Sequence, residues 1–230
     1  MITESRRAVT VRFAGDSGDG MQLTGGQYAT ASAIAGNDLA TFPDYPAEIR
    51  APSGTLGGVS GFQVQFSSDE IFTAGDDLDV LVAMNPAALQ HSYKDVRDNG
   101  IIIVDTGTFT EKNLARAGFE SDPLEDETLV GKRVVPVDIS NLTVLALEGS
   151  SLTPKEVKRC KNFFALGLAY WLYSRPVEPT RDWLDAKFAN KPEFAEANKK
   201  TMQAGYNFGI TTSLFQAQYE VPATSIENGV

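Results

Sequence analysis

The sequence predicts an α/β protein: a Rossmann-like, mostly parallel sheet flanked by helices, with a helical carboxy-terminal third. Three observations carry this reading. Residues 8–14 alternate Val9, Val11 and Phe13 with polar or small residues and run straight into a glycine-rich turn. Two short aliphatic blocks, 80–84 and 101–104, are bounded by turn residues, as buried parallel strands are. From Thr153 onward the patterning becomes helical.

Taken in order, the strand at 8–14 ends at the run 15–20, and residues 21–35 form a helix. That helix is rich in Ala and Thr, and its paired Gly25 and Gly26 suit close packing on a sheet despite poor propensity. Gly36-Asn37 stops it. Residues 42–54 hold Pro43, Pro46 and Pro52 and read as a long loop, a lid or a contact surface. Residues 58–66 supply a strand carrying Val59, Phe62, Val64 and Phe66, residues 86–97 a helix between the two buried strands, and 133–137 a further strand. Thr153-Pro154-Lys155-Glu156 combines capping-box spacing with proline at the first helical position, so a helix runs from there to Tyr173, greasy on two sides. Shorter helices follow at 180–188 and 192–212. The division predicted is a domain over 1–217 and a linker over 218–230, the latter polar from Glu220 onward with Pro222 and Gly229.

The chain of 230 residues is 42% hydrophobic, enough for one substantial core. Its net charge of −10, from 30 acidic and 20 basic residues, opposes binding to nucleic acid and to anionic membranes, leaving protein and small-molecule partners. One cysteine, Cys160, and one histidine, His91, supply neither a disulfide nor the ligands of a zinc site or iron–sulfur cluster. No apolar run reaches the roughly 20 residues of a membrane span, and the polar start lacks a signal-peptide core, so a cytoplasmic location is expected.

The strongest local signal is the strand, Gly15-Asp16-Ser17-Gly18-Asp19-Gly20 turn and helix. Glycines permit close approach where a helix amino terminus attracts an anion, but the order G-x-x-G-x-G departs from the dinucleotide fingerprint G-x-G-x-x-G, and two aspartates repel an adjacent pyrophosphate. Ligand binding and a structural turn both fit. The Gly-Asp-Ser-Gly order also imitates a serine-nucleophile motif, without a base to serve it. Arg50 suits phosphate or carboxylate, or a surface pair with Glu48. Asn162 is a polar residue on an apolar helix, where an unpaired amide is costly, and so bonds a neighbouring loop or a ligand. His91 reads as a surface or capping side chain.

These segments carry a family resemblance. Residues 13–26, Tyr45-Pro46-Ala47-Glu48-Ile49-Arg50, residues 82–88, residues 159–167 and Ala204-Gly205-Tyr206-Asn207 together resemble, in order and spacing, the gamma-type domain of the 2-oxoacid:ferredoxin oxidoreductases, as found in the amino-terminal part of the alpha subunit of the 2-oxoglutarate enzyme. The resemblance implies a complex that oxidatively decarboxylates a 2-oxoacid, forms the acyl-CoA and passes electrons to ferredoxin. It implies that this domain helps bind coenzyme A and gate its access, with Gly15, Asp16, Ser17, Gly18, Asp19, Gly20, Arg50 and Asn162 facing that substrate. Thiamine diphosphate, Mg and a 4Fe–4S cluster would belong to partner domains, among them a pyrimidine-binding alpha domain after the linker and a beta subunit. The chain alone is then inactive. The small-subunit version of the family has a G-x-G-G-Q-G loop, so the two aspartates here are expected to bond backbone amides or a neighbouring subunit. A free-standing α/β nucleotide-binding module and a structural subunit-interface domain are the competing readings.

Overall fold

The computed structural model describes residues 2–48 and 51–225. Eight strands and eight helices are present there: β1 (Ile2–Ser5), β2 (Ala8–Asp16), α1 (Met21–Ile34), β3 (Asp38–Asp44), β4 (Val59–Ser67), β5 (Leu78–Ala83), α2 (Pro86–Ser92), β6 (Val96–Asp105), α3 (Glu111–Ala117), β7 (Arg133–Val137), α4 (Ile139–Ala146), α5 (Pro154–Arg159), α6 (Lys161–Leu172), α7 (Glu178–Lys187), α8 (Pro192–Thr211) and β8 (Ala217–Glu220). The main sheet has the order β3-β4-β2-β5-β6-β7, and β1 pairs with β8 in a separate two-stranded sheet. Strands β2, β5, β6 and β7 run parallel, whereas β4 is antiparallel to both β2 and β3. The expected α/β fold is therefore present, with an antiparallel edge on a parallel core.

Alternation along the central strands divides the core between the two faces. Val80, Val82, Ile101 and Ile103 join the cluster packed by α1, α6 and α8, while Leu81, Ala83, Ile102 and Val104 join the one packed by α2. Both faces are covered, which is why these strands read as unbroken apolar runs. Close approach of α1 to the sheet rests on Gly25, where an added Cβ would lie 2.2 Å from Phe62; beside Gly26 there is open space. Only one glycine of the pair is needed for packing.

Several expected boundaries shift. The loop expected over 42–54 gives its first residues to β3, an edge strand that tolerates Pro43 because it pairs only with β4. The helix expected over 86–97 stops at Ser92, and β6 begins at Val96, with a register irregularity opposite Leu78 and Val80. The helix from Pro154 is two helices, α5 and α6, broken at Cys160, where Phe163 N–H bonds the Cys160 carbonyl in a tightened turn at 2.9 Å. Nothing in the sequence marked that break, since it contains neither Gly nor Pro. Helices α3 and α4 were not expected; Thr110 and Asp138 cap them by accepting from Asn113 N and Asn141 N.

Strand β8 runs across the expected boundary at 217/218. Asn37 Nδ2 donates to the carbonyls of Val221 (3.3 Å) and Pro222 (2.7 Å), and Arg175 Nη1 donates to Asn37 Oδ1 at 2.5 Å. Thr224 N donates to the Gly36 carbonyl at 2.7 Å, so the chain is held to the domain through residue 224.

Candidate functional site

Four segments converge outside the carboxyl ends of the parallel strands: the turn after β2, residues 106–113 after β6, residues 138–144 after β7, and the α5–α6 junction. Ligands of open parallel sheets occupy this position. The segments enclose a cleft of about 630 Å³, lined on one side by Gly18, Asp19, Thr108, Asn113 and Ser140, and on the other by Lys155, Lys158, Arg159 and Lys161. A smaller depression of about 280 Å³ adjoins it and shares Gly18, Asp19 and Arg159 with it, adding Asp16, Ser17 and Ser53.

The glycine turn is held from within by its aspartates. Asp16 accepts from Ser53 Oγ and from Gly54 N at 3.0 Å, tying the turn to the following loop. Asp19 Oδ2 accepts from Asp16 N at 3.2 Å, and Asp19 Oδ1 pairs with Lys161 Nζ at 3.2 Å. Both carboxylates thus bond backbone amides, as the departure from the small-subunit loop led us to expect. Burial raises the Asp19 pKa, and the Lys161 ammonium works against that rise.

The site residues expected from the sequence divide in two. Asp16, Ser17, Gly18 and Asp19 line the openings. Gly15, Gly20 and Asn162 stand behind them. Gly15 is a residue of β2 opposite Ser60, and a Cβ there would press on Asp19 and Met84. Gly20 caps α1 in the left-handed region at φ 76°, where a Cβ would lie 2.8 Å from Asn162 Nδ2. Asn162 is buried, and its Oδ1 has no hydrogen-bond partner among the described residues. Arg50 lies outside the described residues. His91 sits in the last turn of α2 with Nδ1 3.1 Å from Ser92 Oγ, away from the cleft.

The sequence reading missed the basic wall. Its signal was present: Lys155, Lys158, Arg159 and Lys161 fall within one short segment of a chain with net charge −10. It also missed Asp105, a fully buried carboxylate at the end of β6 that accepts from Ser140 N (3.0 Å) and Ser140 Oγ (2.6 Å) and so fixes the first turn of α4. Burial raises its pKa above the ordinary 3.8, opposed mainly by the Ser140 hydrogen bonds. The folded state therefore holds this proton to higher pH than the unfolded chain. The stabilising contribution is complete below 3.8 and is lost as pH rises through the raised value. Asp105→Asn keeps an acceptor for Ser140 N and donates to Ser140 Oγ, so its melting temperature relative to the wild type should rise between about pH 4 and pH 8, as read by calorimetry. A difference that does not change with pH would show that Asp105 does not titrate as described.

Residues 10–208 match the family model described as pyruvate ferredoxin/flavodoxin oxidoreductase. The 2-oxoglutarate oxidoreductase subunit KorA of Mycobacterium tuberculosis is 49% identical over 221 residues, which are 96% of this chain and 34% of that protein. The ketoisovalerate oxidoreductase subunit VorA of Methanothermobacter marburgensis is 28% identical over 204 residues, 86% of this chain and 36% of that protein. The chain spans about a third of the length of these curated relatives. Among solved structures, the 2-oxoglutarate:ferredoxin oxidoreductase of Magnetococcus marinus, with 2-oxoglutarate, coenzyme A and succinyl-CoA bound, superposes with a TM-score of 0.73 at 24% identity, covering 96% of this chain and 34% of that one. The gamma subunit of the keto/oxoacid ferredoxin oxidoreductase of Geobacter sulfurreducens gives 0.59 at 22% identity, covering 89% and 99%. These two likenesses establish the fold. With the family model matched over most of the sequence, the chain belongs to the pyruvate ferredoxin/flavodoxin oxidoreductase family.

Proposed function

We propose that this chain is the gamma-type domain of a 2-oxoglutarate:ferredoxin oxidoreductase, in the position of the amino-terminal part of its alpha subunit, and that it helps bind coenzyme A and gate its access. The observation that carries the reading is 49% identity to KorA across 96% of the chain. The complex would convert 2-oxoglutarate and coenzyme A to succinyl-CoA and carbon dioxide, passing two electrons to ferredoxin. In this division of labour the pyrimidine-binding alpha domain and the beta subunit carry thiamine diphosphate, Mg and the 4Fe–4S cluster, in the cytoplasm. The residues here do not fit those groups: one cysteine is too few for a cluster, and the described residues contain no group of three or more His, Cys, Asp or Glu side chains able to hold a metal.

What these residues do fit is an anionic substrate. The basic wall faces the cleft, while Lys161 offsets the one aspartate of the glycine turn that would oppose a phosphate there. Gly18 lines both openings, and a Cβ added to it would meet nothing within 4 Å, so no packing inside the domain calls for glycine at this position. Close approach of a substrate would account for it. In the assembled enzyme, Gly18→Leu should leave the domain folded and raise the KM for coenzyme A about tenfold or more. A KM equal to that of the wild type would remove coenzyme A from this cleft.

A further inference from the structure

Three cations that line the cleft lack the carboxylate partner that several other cations of the chain have. Arg7, Arg12, Arg97, Lys132 and Lys199 each find a carboxylate. Lys161 is taken up by Asp19. Lys155, Lys158 and Arg159 have no ion-pair partner among the described residues, although all three are exposed and line one cleft of a chain carrying net charge −10. Lys155 and Lys158 are three apart on α5, so they share a helix face. The remaining carboxylate of the lining, Asp138, accepts from Asn141 N at 3.0 Å as the cap of α4. Three unpaired positive charges held together repel one another, and a polyvalent anion offsets that cost.

Coenzyme A carries its charge in two places, a diphosphate along its length and a phosphomonoester on the ribose at the end remote from the thiol. A phosphomonoester bears nearly two charges at neutral pH and offers three acceptor oxygens, so it suits a cluster of cations better than a single one. The two lysines line the cleft and are exposed, which suits the end of the molecule remote from a reacting thiol. Resting on the coenzyme A reading above, we infer that Lys155, Lys158 and Arg159 anchor the ribose 3′-phosphate and make this domain the one that distinguishes coenzyme A from its dephosphorylated form.

The test compares KM values for coenzyme A and 3′-dephospho-coenzyme A in the assembled enzyme, with and without the double substitution Lys155→Ala, Lys158→Ala, at two ionic strengths. The wild type should favour coenzyme A by about tenfold to a hundredfold in KM, less at high salt, and the variant should bring that ratio close to one. A ratio equal to that of the wild type, or equal rises in both KM values, overturns the assignment while the coenzyme A reading stands. An assembled enzyme whose reaction needs no coenzyme A brings down that reading and this inference together. Because both side chains are exposed, the variant should melt with the wild type, and that control separates a lost contact from a lost fold.

Discussion

Gly167→Val should yield a chain that does not fold, and Gly167→Ala one that melts well below the wild type. At this position α6 crosses α8 with backbone against backbone: an added Cβ on Gly167 would sit 1.9 Å from the Met202 carbonyl oxygen, and one on Gly205 would sit 2.0 Å from that of Phe164. Two backbones in contact cannot move aside as a side chain does. The helices must separate, and the buried residues around the crossing, Phe164, Leu168 and Met202, lose their packing. The alanine variant should cost about 3 kcal/mol or more, close to 6–12 °C in a domain of this size. Gly26→Ala is the control, because open space surrounds that helical glycine and it should gain about 0.5–1 kcal/mol. Thermal unfolding followed by circular dichroism measures both. A Gly167→Ala protein that melts with the wild type would refute the helix crossing as described.

Lys161→Ala should have the second largest effect, because it strands a buried carboxylate. Asp19 already ionises reluctantly, and Lys161 is the chief influence against that reluctance. Without the ammonium, its pKa rises further, so the variant falls behind the wild type as pH climbs through the carboxylate range and matches it best in acid, where Asp19 is protonated. Both partners are less than a fifth exposed, so screening is limited, and a loss of about 1–3 kcal/mol at neutral pH is expected. Adding Asp19→Asn should recover most of it, since an amide still accepts from Asp16 N and carries no charge. Denaturant titrations of the four proteins at about pH 4 and pH 7.5 complete the cycle. Equal losses at both pH values would mean that the ion pair is not their source.

How far the sequence led depends on where each signal lay. The glycine turn, α1 and the two buried strands were legible because their signals are local: a period of two, a cluster of glycines, short β-branched runs. Strand β3 was hidden by Pro43, whose cost disappears only at a sheet edge, and the edge is a property of the whole sheet. Strands β1 and β8 were hidden for a related reason, since Ile2–Ser5 and Ala217–Glu220 are partners from opposite ends of the chain. The break at Cys160 carries no local marker, yet it sets Lys155, Lys158 and Arg159 against the turn at 15–20, and without it the basic wall reads as an ordinary solvated helix face. Asp16 and Asp19 looked hostile to a phosphate when read in sequence. Their hydrogen bonds to Ser53, Gly54 and Asp16 N, and the ion pair with Lys161, redirect that charge into holding the turn.

The most direct test of the account is coenzyme A-dependent oxidation of 2-oxoglutarate with a ferredoxin acceptor, measured for this chain alone, for the assembled oxidoreductase containing it, and for that assembly carrying Arg50→Ala. The account predicts turnover only in the assembly, with a raised coenzyme A requirement in the Arg50 variant. Turnover by the isolated chain, or an assembly inactive toward every 2-oxoacid offered, would contradict it.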